Sequence, residues 1–383
     1  MRIALHALHF AEYAARLGLA LAEQGHEVLL LLGQANAQAE LSQALRQRLD
    51  DGCGQRLQVR LIPHARLRDP RCWLRVWQMR RALLAFAPDV IHQQETLSDP
   101  AFWSLWPLAA APRVMTVHDP LPHSGADAQL PWRKRLYQRC LRRQAQALIV
   151  HGRSAAADLA GLMGPDAPPV RVVAHGVLGL DADRPTASAG LAATARPPRL
   201  LFFGRVEAYK GLGVLLQASA LLRQRGVAHG LHVAGQGADL HTHRAALQQH
   251  PALRLDERFI APADVPALFE ASSAVVLPYL DATQSGVAAM AMAFGRPVVA
   301  TRTGAIPEVV LDGINGLLVP PGDALALADA LQRLLTEPDL LARLSHGASR
   351  FAADHLAWPP IAAATLDCYR QAAPQGLRAL IPP

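Results

Sequence analysis

Phe203-Gly204-Arg205-Val206-Glu207-Ala208-Tyr209-Lys210-Gly211 and, about eighty residues later, Thr283-Gln284-Ser285-Gly286-Val287 are the stretches whose reading decides the fold. The first follows an apolar run, 199–203, that ends at a glycine, with an Arg at once after it and a Lys-Gly pair five residues beyond that Arg. A strand end is where an open α/β sheet binds ligands. The second opens a run of alanines that reads as a helix, so the free N–H groups of its first turn can face an anion. Arg offers a planar fork to two phosphate oxygens and Lys a compact charge. Taken singly, Arg205 and Lys210 would be ordinary surface cations. The frame of Gly204 and Gly211 favours a diphosphate site instead.

Outward from these stretches, apolar runs alternate with helical patterns. In the N-terminal half the runs are 2–8, 27–33, 58–63, 89–94, 113–117, 147–150 and 170–174; in the C-terminal half they are 199–203, 231–234, 274–279, 297–301 and 316–320. Strands separated by helices imply parallel βαβ units. The segment 181–198 is rich in Pro, Ala and Thr and has no periodicity, so it is the expected linker. The expectation is α/β, with two doubly wound Rossmann-like domains, 1–180 and 199–354, facing across a cleft.

The pairing of the two opening stretches resembles the nucleotide-sugar-binding half of the retaining glycosyltransferase family 4, whose proteins have the GT-B fold. The resemblance covers nearly the whole chain. It extends to Val233-Ala234-Gly235-Gln236-Gly237, to Met292-Ala293-Phe294-Gly295-Arg296-Pro297, and to Gly304-Ala305-Ile306-Pro307-Glu308-Val309-Val310. It implies that Arg205, Lys210 and Gly204, with Thr283, Gln284, Ser285, Gly286 and Val287, hold the diphosphate of the donor. It also implies that a last helix, about 355–383, crosses back onto the first domain.

The chain departs from that family twice. Many relatives carry two glutamates eight residues apart, and alignment on Gly295 puts Ala282 and Met290 at those positions, with Asp281 as a substitute for the first acid. Thr-Gln-Ser-Gly-Val marks a subset of the same family. The glycine-rich loop after the first strand is also missing, replaced by Leu5-His6-Ala7-Leu8-His9-Phe10. Both changes imply altered sugar and acceptor pockets.

His118 ends the strand 113–117 before a Pro-containing loop, and the resemblance implies that it touches the donor sugar and orients it. His151 and His175 also stand just beyond strands; they read as structural, with His151 the better second candidate. Glu308 is either an acid favoured by a helix dipole or a donor contact. Sixteen histidines and four scattered cysteines show no ligand spacing that compels a metal. No metal and no cofactor are expected beyond the nucleoside diphosphate sugar as co-substrate.

At 383 residues, with 51% hydrophobic and 18% charged, the chain can build two cores. No run approaches the ~18 apolar residues of a membrane span, and residues 1–10 read as a first strand rather than a secretory signal. The expected location is the cytoplasm, with peripheral seating on the inner face of the membrane as an open extension. Net charge is +7, and residues 60–150 hold 14 Lys/Arg against 6 Asp/Glu. Two blocks dominate, 66–81 with Trp73 and Trp77, and 133–143. Arginines interleaved with Trp suit an anionic membrane surface; a solvated basic face is the equal alternative. No nucleic-acid reading motif accompanies the charge.

The expected function is transfer of a sugar from a nucleoside diphosphate donor to a hydroxyl of a glycan or lipid-linked glycan, retaining and metal-independent. The competing expectation, motivated by the absent acids, is a catalytically degenerate module that binds nucleotide sugar or membrane.

Overall fold

The structure is a computed structural model that describes residues 1–63, 69, 71–95, 111–121, 132–179, 198–282 and 284–372. Thr283, the expected linker up to 197, the chain end from 373 and part of the first basic block lie outside the described residues.

Two parallel sheets organise these residues. The first holds β1 (Arg2–Ala7), β2 (Glu27–Gly33), β3 (Leu57–Ile62), β4 (Val90–Gln94), β5 (Arg113–Thr116), β6 (Ala147–Val150) and β7 (Val170–Val172), in the order β3-β2-β1-β4-β5-β6-β7. The second holds β8 (Arg199–Phe203), β9 (Gly230–Ala234), β10 (Leu253–Asp256), β11 (Ala274–Leu277), β12 (Val298–Thr301) and β13 (Gly316–Val319), in the order β10-β9-β8-β11-β12-β13. Most central strands are apolar on both faces because helices cover both sides of a parallel sheet, while β4 buries His92, Gln93 and Gln94. Residues 28–32 of β2 and 274–277 of β11 are buried without a break. Strand β10 was not expected: Leu-Arg-Leu-Asp is short, half-exposed and at the sheet edge, where the apolar signal is weakest.

Chain order reverses between β1 and β4 in one sheet and between β8 and β11 in the other. These switch points are where loops diverge and leave a crevice. The helix Trp358–Ala372 returns to the first sheet and packs on the helix Ala11–Glu23, burying Ile361, Leu366 and Tyr369. Trp358 Nε1 donates to the Val177 carbonyl at 2.9 Å, and Tyr369 Oη lies 2.7 Å from His92 Nδ1. The end of the chain thus belongs to the core in which it begins.

Candidate active site

The two opening stretches of sequence meet because β8 and β11 are neighbours at the switch point. Gly204, left-handed at φ 107°, leaves open the space that a Cβ would fill. Lys210 Nζ lies 3.1 Å from that point and Val287 Cγ2 lies 3.9 Å from it. Lys210 ends the 3-10 turn Ala208–Lys210, and Gly211 at φ 71° turns the chain into the next helix. A side chain on Gly211 would run into the Pro278 carbonyl, so glycine is required there on two counts. Lys210 is buried to 9% exposure, with its ammonium 5.3 Å from the Tyr279 ring centre. No carboxylate pairs with Lys210 or with the exposed Arg205 among the described residues. A buried, unpaired ammonium is costly unless an anion joins it.

The helix Gly286–Ala293 starts opposite this cation. Ser285 caps it, its side chain accepting from the Ala288 N–H at 3.3 Å. The N–H groups of Gly286 and Val287 find no acceptor among the described residues. Gln284 Oε1 is buried without a partner among the described residues. Ala282 and Met290, which stand where relatives carry acids, are both buried, and Met290 packs its thioether against Gly179.

Across the crevice, His118, His151 and His175 follow three adjacent strands, β5, β6 and β7. Equivalent positions on neighbouring parallel strands lie about 4.8 Å apart. The three imidazoles therefore converge, each offering a ring nitrogen within 4.8 Å of the others. His118 Nε2 meets Gln94 Oε1 at 2.8 Å, His151 Nδ1 meets the Val173 carbonyl at 3.0 Å, and His175 Nδ1 meets the Gly176 carbonyl at 2.9 Å. Burial, then the adjacent imidazoles, hold His118 well below the ordinary histidine range. Burial alone is the main cause that takes His151 down to about 3 and His175 to about 4. All three are neutral near pH 7. The Tyr13 ring stands 5.3–5.4 Å from each imidazole. The signal for this cluster was a histidine at the end of each of three consecutive strands; read one at a time, His151 and His175 looked merely structural.

The segment that replaces the glycine-rich loop closes this pocket. Phe10 is left-handed at φ 61°, a conformation that costs a residue with a Cβ roughly 1–2 kcal/mol. Its ring stacks on His118 with centres 3.7 Å apart. Where the family has glycines, an aromatic wall covers the histidine.

Glu308 bridges the two halves. Its carboxylate accepts from the backbone N–H groups of Arg153 and Ser154, which open the helix Arg153–Met163. That helix has Gly152 at its start and no side-chain cap of its own. Ala305 fills the space a Cβ on Gly152 would need, which brings the elements into direct contact.

The helices Arg71–Phe86 and Trp132–Arg143 carry the described parts of the basic blocks. Trp73, Leu74, Trp77, Leu84, Trp132 and Leu136 are exposed, with Arg81 over the Trp77 ring at 5.5 Å. Arg142 turns inward, where it holds Glu95 in a buried bidentate pair at 2.6 and 2.8 Å. It is a structural cation rather than part of a surface. No helix among the described residues is long and apolar enough to cross a membrane.

Residues 10–176 match the family described as glycosyl transferase 4-like domain, and residues 197–337 match that described as glycosyl transferases group 1. The chain is 33% identical over 311 residues to a D-inositol 3-phosphate glycosyltransferase of Xylanimonas cellulosilytica, covering 74% of this chain and 72% of that protein. It is 29% identical over 291 residues to a glycogen synthase of Mycobacterium tuberculosis, covering 74% and 69%. Sucrose-phosphate synthase of Thermosynechococcus elongatus shares the fold with a TM-score of 0.73 at 21% identity over 100% of both chains. HepE of Anabaena, in complex with UDP, does so with a TM-score of 0.69 at 19% identity over 96% and 99%.

Proposed function

The chain belongs to the group 1, family 4-like glycosyltransferases and has their GT-B fold, and we propose that it moves a sugar, with retention, from a nucleoside diphosphate donor to a hydroxyl of a glycan or lipid-linked glycan. The observation that carries this reading is the buried Lys210 ammonium beside Gly204, unpaired among the described residues, opposite the N–H groups of Gly286 and Val287, which find no acceptor among them. Family membership leaves the non-catalytic reading without support.

In the proposed mechanism, Lys210 and Arg205 neutralise the charge that develops on the departing diphosphate. The Gly286 and Val287 amides receive its distal oxygens, fixed in place before the bond breaks. A donor phosphate oxygen takes the acceptor proton. His118, neutral, held by Gln94 and His151 and covered by Phe10, shapes the sugar pocket through these neighbours and does not serve as a base. The donor's charge is met by cations and helix amides, so the transfer itself needs no divalent ion at the diphosphate. The division into residues 1–180 and 199–354 allows the crevice to close over the donor and exclude water. The Thr-Gln-Ser-Gly subset assignment implies a donor sugar held without the two family acids. The exposed Trp and Arg of the two basic helices would seat this enzyme on anionic lipid, near a lipid-linked acceptor on the cytoplasmic side.

The test is a panel of nucleoside diphosphates and their sugars, read by thermal stabilisation and by slow donor hydrolysis. UDP compounds come first because the Anabaena neighbour is in complex with UDP, and inositol phosphate joins the acceptors because of the Xylanimonas relative. Stabilisation by a diphosphate and turnover that persists in excess chelator are expected. Turnover lost with chelator and restored by Mn²⁺ or Mg²⁺ would overturn the mechanism.

A further inference from the structure

The backbone carbonyls beside the histidine cluster fix the tautomers of two of its rings. A backbone carbonyl only accepts, so His151 Nδ1–H donates to Val173 and His175 Nδ1–H donates to Gly176. Each ring's Nε2 is then a bare lone pair. With Gln94 Oε1 facing it, His118 donates Nε2–H there, and in that tautomer its Nδ1 is bare as well. Yet His118 Nδ1 and His151 Nε2 face one another at 3.1 Å. Two lone pairs at that distance repel unless a cation lies between them. A proton is the costly choice here, since burial disfavours an imidazolium at either ring.

A metal ion satisfies both lone pairs at once. Two nitrogens on a tetrahedral ion with bonds of ~2.0–2.1 Å stand ~3.3 Å apart, close to the observed spacing. The widest separation in the cluster, 4.8 Å, is about 1.5 Å more than tetrahedral ligation allows, so His175, the least buried of the three rings, must move in by that much to join. Each ring already has its other nitrogen anchored to an oxygen, the outer-shell arrangement that orients metal-binding histidines. The charge of Asp119, next in sequence to His118, acts on both His151 and His175 and favours positive charge between them.

We propose that His118 Nδ1, His151 Nε2 and His175 Nε2 form a binding site for one divalent ion of the zinc class. Three neutral imidazoles and no carboxylate ligand select Zn²⁺, Co²⁺, Ni²⁺ or Cu²⁺ over Mg²⁺ and Ca²⁺. The fourth position of a tetrahedral ion stays open, toward the crevice where His175 approaches Gly286. This ion is separate from the diphosphate, which Lys210 and the helix amides address. Because it ligates His118, it opposes sugar binding and does not assist transfer.

The experiment uses the full chain, stripped with chelator and with its accessible thiols alkylated so that Cys53 and Cys140 take no part. Titration with Co²⁺ is expected to saturate at one equivalent with the visible absorption of tetrahedral nitrogen ligation. Zn²⁺ should displace it, and excess Mg²⁺ should not. His151→Gln and His175→Gln should each weaken binding by more than the ~10–100-fold that losing an outer-shell partner costs. His241→Gln, remote on the second sheet's side, should leave it unchanged. Absence of saturable uptake by the wild-type chain would overturn the proposal and leave a shared proton between His118 and His151. So would uptake that survives both substitutions in variants whose circular dichroism and melting match the wild type.

Discussion

Both carboxylate oxygens of Glu308 lie 2.8 Å from the backbone nitrogen of Arg153, so a side chain from one half of the molecule caps a helix of the other. The helix Arg153–Met163 lacks a cap of its own, and a carboxylate at its N-terminus satisfies open N–H groups while meeting the helix dipole. A charge-assisted cap of this kind contributes about 0.5–2 kcal/mol. Here that energy favours the arrangement in which the two sheets face one another.

Glu308→Gln keeps the shape and removes the charge. The closed arrangement should become less populated, with a larger radius of gyration in solution scattering and a several-fold higher KM for the donor. Folding should be little changed, because each half keeps its own core. Scattering and KM identical to wild type would show that the contact does not govern closure.

Lys210→Ala removes the buried ammonium beside Gly204. Loss of one group that stabilises developing charge costs ~10²-fold or more in rate, and that fall in kcat is expected. Melting should hold or rise, since the substitution relieves a buried unpaired charge. An unchanged kcat would take Lys210 out of the mechanism.

Acid should destabilise the fold through His92. The ring is fully buried between Tyr369 Oη and Thr116 Oγ1, both at 2.7 Å, and burial takes it down to about 3 from 6.5. Between those values the unfolded chain binds the proton and the folded chain does not. This stability is therefore complete above pH 6.5 and is lost as pH falls toward 3, with a slope of ~1.4 kcal/mol per pH unit for one proton. The melting temperature of His92→Gln should start lower than wild type at pH 7 and fall less steeply on the way to pH 5. Parallel slopes for the two proteins would remove His92 as the source.

Liposome binding tests the basic helices. Binding should rise with the anionic lipid fraction and fall with salt, because exposed charges are screened beyond ~10 Å at 0.1 M. Replacing Trp73 and Trp77 with Ser and Arg81 with Gln should weaken binding while donor affinity stays unchanged. Equal binding to neutral and anionic vesicles, or none, would leave these residues as a solvated face or an acceptor contact.

Much of the molecule is written locally. Largely apolar runs of five to seven residues between helical patterns specified β1, β2, β8 and β11, since a parallel strand covered on both faces is mostly apolar. Gly204, Lys210, Gly211 and Ser285 were legible because a strand end, a glycine turn and a helix start each have a short-range signature. What the sequence by itself determined was therefore the fold class and the frame of the proposed anion site. The tertiary structure decided what depends on strand order. Only adjacency of β5, β6 and β7 sets His118, His151 and His175 side by side, and only the approach of the two sheets gives Glu308 the helix of Arg153. Arg142 counts as one more surface cation until Glu95 is found behind it, and Phe10 as a lost glycine until its ring is found on His118. Contacts between residues far apart in the chain have no local period, so they become visible only once the chain has folded.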